Sequence, residues 1–93
     1  MIWYIVRVQL VSENADYTKL HGEMEKRGFT RDTEFGEDAL RRLPFATYFY
    51  EGDEDGDKVK AKAWDASQQV DSHKNRILVA RTDSLWSKNL IRP

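Results

Sequence analysis

The chain has 93 residues, with 15 lysines and arginines, 16 aspartates and glutamates, and no cysteine. This length predicts one domain, and the lack of cysteine excludes disulfide scaffolds, cysteine-ligated zinc and thiol nucleophiles. No apolar run approaches the roughly 20 residues of a membrane span. The apolar N-terminal stretch contains Arg7 and has no basic leader, so we expect no signal peptide and a cytoplasmic location.

The charge is balanced overall but unevenly distributed. The formal net charge is −1, which gives no general attraction for a polyanion. Residues 51–57 hold five acids and no base, whereas residues 72–93 hold five bases and one acid, a net charge of +4. Two such patches either guide a polyanion or a second subunit to one surface, or they are solvated surface.

The first predicted elements are a strand and a helix. Residues 3–11 alternate in polarity, which is typical of a strand with one buried face. A helix is predicted over about residues 15–27, with Ser12 or Asn14 as its cap. Gly28 is placed to end this helix in the left-handed conformation. Gly22 inside the helix predicts close backbone packing at that position.

The remaining elements complete a regular pattern. Residues 29–35 and 43–50 predict two strands of an antiparallel hairpin, followed by a helix over about residues 55–70 and a short apolar strand at 77–80. The order β-α-β-β-α-β predicts a ferredoxin-like α+β fold, a four-stranded antiparallel sheet with both helices on one face. We expect this domain to span residues 1–82. Residues 83–93 form an apolar and basic tail that docks on the domain or on a partner.

Several segments resemble one family of small bacterial proteins. Residues 4–10 (YIVRVQL), 16–21 (DYTKLH) with 24–31 (MEKRGFTR), and 43–48 (LPFATY) are similar to strand, helix and strand motifs of the family that includes the GhoS endoribonuclease antitoxins, and residues 77–79 (ILV) resemble its last strand. The resemblance covers about residues 4–80 and is clearest in the first third. It implies a ferredoxin-like fold akin to that of the CRISPR-associated Cas2 proteins.

The same resemblance implies an activity. It predicts an RNA-acting regulatory protein of a bacterial or prophage toxin–antitoxin system, an endoribonuclease that cleaves the messenger RNA of a membrane-damaging toxin. A second hypothesis from a different class is a non-catalytic homodimeric module that binds a protein partner. The near-neutral charge favours the second hypothesis, and the resemblance favours the first.

Two histidines are candidates for metal-independent RNA cleavage, in which a base takes the proton of a 2′-hydroxyl. His73 lies in a predicted polar loop beside Lys74 and Arg76, which suits a phosphate. His21 follows Leu20 on the first predicted helix, so it is either a catalytic base or a packing side chain.

Four basic residues are candidates for binding single-stranded RNA. Arginine clamps a phosphate through two hydrogen bonds, and lysine neutralises it as a point charge. Arg7 is predicted on the sheet face without helices, and Arg31 lies beside Phe29. The alternative for both is an ion pair or a dimer contact. The four predicted RNA-binding residues are Arg7, Arg31, Lys74 and Arg76.

Three aromatic residues are candidates for an interface. Tyr48 and Tyr50 share one face of a predicted strand, where exposed rings form a dimer seam or stack on bases. Trp86 lies in the predicted tail. A homodimer is therefore expected, with single-stranded RNA or messenger RNA and a protein as further possible partners.

No cofactor or metal is predicted. The first strand ends with Gln9, where a Cas2-type metal site would need an aspartate. The acidic stretch from Asp53 does not match a calcium loop, because its sixth position is Lys58 and its twelfth is Trp64.

Overall fold

The structure is a computed structural model that describes residues 1–34 and 40–92. It is an α+β fold with two helices, a three-stranded antiparallel sheet and a separate two-stranded sheet. The elements in chain order are β1 (Ile2–Gln9), α1 (Tyr17–Glu25), β2 (Asp32–Thr33), β3 (Arg41–Arg42), β4 (Thr47–Gly52), α2 (Gly56–Val70) and β5 (Arg76–Thr82).

β1 is the central strand of the main sheet. It pairs antiparallel with β4 on one side, where Arg7 lies opposite Thr47, and with β5 on the other, where Arg7 lies opposite Leu78. The order β4-β1-β5 places the first and last strands next to each other. The side chains of β1 therefore point alternately to the two faces of the sheet.

One face of the sheet and both helices form the main core. Tyr4, Val6 and Val8 of β1 are buried in a single cluster with side chains from α1 and α2. An amphipathic helix has one apolar stripe, and in both helices this stripe faces the sheet. The buried helix residues of this cluster are Leu20, Met24, Val59, Ala63 and Ala66.

A smaller cluster lies on the opposite face of the sheet. Leu43 and Phe49 are buried there, and Ile5, Leu85 and Leu90 pack against them. The N–H of Arg42 donates to the carbonyl of Ile91 at 2.8 Å. Residues 85–91 therefore run over the sheet face that carries no helices, which we call the open face, and they lie near β4. We call the rest of this face, around Arg7 and Leu78, the open half.

The helix α1 begins later than predicted. Its N-cap is Asp16, whose side chain accepts from the N–H of Lys19, rather than Ser12 or Asn14. A turn closed by the N–H of Ala15 on the carbonyl of Ser12 delays the helix, and the Ser12 side chain bonds to Asp71 instead of capping the helix. The predicted stop is confirmed, because Gly28 has φ +90°.

Gly22 does not have the close packing that its position predicted. A Cβ at Gly22 would meet no heavy atom outside its own helix within 4 Å. The expectation of a close backbone approach was therefore wrong.

The predicted hairpin forms only in part. Asp32 pairs with Arg42 and Thr33 with Arg41, so β2 and β3 are antiparallel, but β3 precedes the second predicted strand. They stand apart from the main sheet, where three strands are described instead of the predicted four. Residues 35–39, which include the end of the first predicted strand of the hairpin, lie outside the described residues.

Local hydrogen bonding explains the separation. Thr30 forms an isolated bridge with Phe49 of β4, but its hydroxyl then accepts from the N–H of Asp32 at 3.2 Å and turns the chain away. In the second predicted strand of the hairpin, Pro44 has no N–H to donate, and Ala46 takes a left-handed φ of 61°. Of the predicted strand over residues 43–50, only residues 47–50 form a strand, as the first part of β4, and β3 lies before it.

Neither helix among the described residues has the length and apolar character needed to cross a membrane.

Candidate functional site

A buried carboxylate organises the loop that contains His73. Asp71 follows the last residue of α2, and its side chain is only 3% exposed. Its two oxygens accept from Ser12, one from the hydroxyl at 2.6 Å and the other from the backbone N–H at 2.9 Å. Asn75 donates to the Asp71 carbonyl at 2.7 Å. The loop is therefore fixed to the segment that follows β1.

The same carboxylate holds the imidazole of His73. Oδ1 of Asp71 contacts Nδ1 of His73, whose side chain is 65% exposed. The Ser12 hydroxyl, and next its backbone N–H and His73, lower the pKa of Asp71 to about 2, against the opposing effect of burial. An ionised carboxylate on Nδ1 requires a proton on that nitrogen, so the neutral ring has its lone pair on Nε2.

Ser12, His73 and Asp71 do not form a nucleophilic triad. In a triad the serine and the aspartate bind different ring nitrogens. Here the Ser12 hydroxyl lies 3.3 Å from Nδ1, the nitrogen that also faces Asp71. The Ser12 hydroxyl donates its proton to the carboxylate, which leaves Ser12 a structural role.

Basic residues follow His73 along the chain and on the neighbouring sheet face. Lys74 follows His73, and Arg76 begins β5 opposite Gln9, whose amide oxygen accepts from it at 3.5 Å. Directly paired residues share a face, so Arg7 lies diagonal to Arg76 on the open half. Within residues 1–34 and 40–92, no carboxylate forms an ion pair with Arg7, Lys74 or Arg76. We call Arg7, His73, Lys74 and Arg76 the His73 surface.

His21 lies in a different environment. Its Nδ1 is 2.7 Å from the hydroxyl of Tyr48, and its ring stands edge-on to Phe45 with centroids 6.4 Å apart. Burial, and next the charges of Arg31 and Arg42, lower the pKa of His21. Burial also raises the pKa of Tyr48, so the phenol keeps its proton and donates it to the neutral imidazole.

Arg31 lies with His21 and is not part of the His73 surface. It is partly exposed, and its charge acts on both His21 and Tyr48. Its neighbour Arg42 is paired with Asp32, through Nε on one oxygen and a second contact at 3.4 Å on the other. In the described part of the chain, His21 and His73 share no hydrogen bond and have different partners.

The predicted interface aromatics are placed differently from one another. Tyr48 and Tyr50 are 1% and 7% exposed and belong to the helix-side core, so their rings are not on a surface. Tyr48 and Tyr50 lie on one face of β4, as the alternating pattern of the strand predicted, but that face is the one covered by the helices. Trp86 is 86% exposed on the segment that crosses the open face.

The acidic segment at residues 51–57 largely serves the domain itself. Glu54 accepts from Lys62 at 2.5 Å and from the hydroxyl of Tyr50, and Lys62 and Tyr50 lower the pKa of Glu54 to about 2. Asp55 caps α2, and Asp57 follows in its first turn. Most of these charges therefore stabilise α2 and its junction with β4.

Sequence reasoning missed the residues that build the loop. Ser12 bonds to Asp71 across 59 positions and Val11 bonds to Asn75 across 64, and no local motif marks such links. The one available signal was that Asp71 directly follows the helix pattern and precedes His73 by two residues. No cluster of three or more histidine, aspartate or glutamate side chains suited to a metal ion occurs in the described ranges.

Comparison with known proteins finds no family model, no curated protein and no solved structure that matches this chain.

Proposed function

We propose that this protein binds single-stranded RNA at the His73 surface and cleaves it without a metal ion, with His73 as general base. The observation that carries the proposal is the exposed imidazole of His73, held on a buried carboxylate among cations that have no acidic partner in the described chain. The activity agrees with the one implied by the resemblance to the GhoS endoribonuclease antitoxins.

The chemistry follows from the orientation of the ring. Nε2 of His73 takes the proton of a ribose 2′-hydroxyl, and the 2′-oxygen attacks the adjacent phosphorus. The bond from phosphorus to the 5′-oxygen breaks, and that oxygen takes a proton from a water molecule, which the imidazolium of His73 reprotonates. The products are a 2′,3′-cyclic phosphate and a 5′-hydroxyl. Asp71 stabilises the imidazolium, while Lys74 and Arg76 offset the charge that develops on the phosphorane.

We also infer a ferredoxin-like plan for the domain. The order β4-β1-β5 matches it, and the bridge between Thr30 and Phe49 lies where a fourth strand would join the outer side of β4. Both helices contribute to one core cluster. This fold leaves a sheet face without helices, and in this chain the residues crossing that face leave the open half uncovered.

A cleavage assay tests the function. Purified protein is incubated with 5′-labelled single-stranded RNA, with and without EDTA, beside variants His73→Ala, Asp71→Asn and His21→Gln. We expect EDTA-resistant cleavage to cyclic-phosphate ends, a loss of about 100-fold or more in His73→Ala, and an intermediate loss in Asp71→Asn. His21→Gln keeps the activity, because Nδ1 of His21 is engaged by Tyr48.

The matched variant His73→Ala also controls for contaminating ribonuclease, since it is purified in the same way. Intact RNA in every sample, or cleavage by His73→Ala at the rate of the natural protein, would overturn the catalytic proposal. RNA binding without cleavage would reduce it to a binding function.

A non-catalytic interaction module is the second candidate. It is favoured by large apolar side chains that remain at the surface, including Leu78 at 65% exposure. Isolated exposed apolar residues are ordinary, but those on a sheet edge favour association. A protein that neither binds nor cleaves RNA would be assigned to this class.

A further inference from the structure

The outer edge of β5 has no partner in the described structure. The main sheet ends at β5, which pairs only with β1. Within residues 1–34 and 40–92, no backbone group of residues 76–82 bonds to any segment other than β1. An unpaired strand edge presents a row of N–H and C=O groups that another strand can bind.

The sequence of β5 lacks the usual protection of an edge. Monomeric proteins place lysine, proline, bulges or inward charges on such strands. β5 is seven residues long and reads RILVART, with arginines only toward its ends. At its centre Leu78 is 65% exposed and Ala80 is exposed beside it. The edge is therefore long, regular and apolar in the middle.

We propose that this edge pairs antiparallel with the same edge of a second copy of the chain, with Val79 opposite Val79. A two-fold axis perpendicular to the sheet keeps each side chain on its own face, so one residue must lie opposite itself. Centring the axis on Val79 is the arrangement that pairs all seven residues of β5.

Charge supports the same register. With Val79 at the axis, Arg76 faces Thr82 of the second copy and Arg81 faces its Ile77, so no two arginines are opposite. Leu78 faces Ala80, which covers the exposed leucine. Centring the axis on Arg81 would instead place like charges directly opposite, which is destabilising.

The helix side of this edge offers a matching groove. Ile77 lines it together with Ala61 and Trp64 of α2, and Trp64 is partly exposed. The long side chain of Arg81 from the second copy lies opposite Ile77 and reaches this groove. An arginine there buries its methylene stem and places its guanidinium near the indole ring.

Single cysteines test the register, because the natural chain has none. Val79→Cys places two thiols within the Cα separation of about 4.5–5.5 Å of an antiparallel pair, which a disulfide spans. We expect Val79→Cys to form a covalent dimer on mild oxidation. Arg81 is more exposed than Val79, but it lies opposite Ile77 of the second copy, four residues away from the second copy's Arg81. The variant Arg81→Cys is therefore expected to stay monomeric on a denaturing gel. Cross-linking of Arg81→Cys instead of Val79→Cys overturns the proposed register.

Light scattering after size exclusion tests the association without any RNA. The natural chain is expected at the mass of two chains at high concentration. Leu78→Lys, which changes an exposed side chain, is expected at the mass of one chain with an unchanged circular dichroism spectrum. The matched variant Trp86→Lys stays dimeric. A single-chain mass for the natural protein at every concentration overturns the proposal, as does dissociation by Trp86→Lys alone. Neither result bears on RNA cleavage.

Discussion

Ser12 and Asp71 are 59 positions apart in the chain, and the hydroxyl of Ser12 donates to Oδ1 of Asp71 at 2.6 Å. This contact joins the segment after β1 to the end of α2. Because the same carboxylate also contacts His73, the stability of the domain and the orientation of the proposed catalytic base depend on one side chain.

The hydroxyl of Ser12 is expected to contribute measurably to stability. Ser12→Ala removes the donor to Oδ1 but keeps the backbone N–H donor, so we expect a loss of about 1 kcal/mol in the free energy of unfolding. Urea denaturation followed by circular dichroism measures it. Ser72→Ala, at an exposed serine two residues before Lys74, is the matched control and should change little. Equal stability of the two variants would contradict the role of Ser12.

Asp71 is expected to give the protein an acid-sensitive stability. Its pKa is lowered to about 2 in the folded state and lies near 3.9 in an unfolded chain. Its contribution is therefore present above about pH 4 and is lost as the pH falls toward 2. Asp71→Asn should be clearly less stable than the natural protein at pH 6, and the gap should narrow below pH 4. A gap that is constant with pH would show that ionisation of Asp71 does not stabilise the fold.

His21 is expected to affect the stability of the protein at a higher pH than the carboxylates do. Burial and the nearby arginines lower its pKa in the folded state, so between that value and about 6.5 the unfolded chain binds more protons. Stability should consequently fall as the pH drops from 7 to 5. In His21→Gln, whose amide oxygen can still accept from Tyr48, this part of the pH dependence should be smaller. Identical slopes for both proteins would refute the assignment.

Two glycines are expected to respond in opposite ways to alanine. Gly22 lies inside α1 with open space around it, so Gly22→Ala should stabilise the protein by about 0.5–1 kcal/mol. Gly28 has φ +90°, and a Cβ there would lie 3.3 Å from the ring of Tyr50, so Gly28→Ala should destabilise it. Thermal melting of the two variants beside the natural protein measures both signs. A destabilised Gly22→Ala would mean that this glycine has a contact outside its helix.

The salt dependence of RNA binding is expected to show whether RNA binds at the His73 surface. For single strands the slope of log K against log salt is about −0.7 for each phosphate neutralised. Arg76→Ala and Lys74→Ala should each make the slope shallower by roughly this amount. Lys58→Ala removes the same charge at the other end of α2, and it should leave the slope unchanged. Fluorescence anisotropy between 50 and about 300 mM salt measures it. Equal slopes for all three variants would place the RNA elsewhere.

Periodicity predicted the elements whose side chains pack in the helix-side core. The alternation from Tyr4 to Val8 and the stripe through Leu20 and Met24 correspond to one buried face of β1 and of α1. Such patterns are local and strong, because each buried side chain recurs at the period of its own element. The predicted fourth strand failed where local side-chain bonding competed with pairing, as at Thr30.

The candidate site was less predictable than the fold. His73, Lys74 and Arg76 are consecutive or nearly so, and their charge in a polar loop was visible in the sequence. The sequence does not reveal the carboxylate that orients His73, because its other partner, Ser12, lies 59 positions away in the chain. Tyr48 and Tyr50 were paired correctly on one face, but alternation cannot tell which face of a strand meets the helices when Phe49 makes the other face aromatic as well.

The central position of β1 has a consequence for the speed of folding. Both of its neighbours lie far along the chain, since Arg7 meets Thr47 on one side and Leu78 on the other. Each pairing requires a long loop to close before any ladder bond is gained. We therefore expect the chain to collapse around its two helices first, and to complete its sheet on the millisecond-to-second scale of folds dominated by distant contacts.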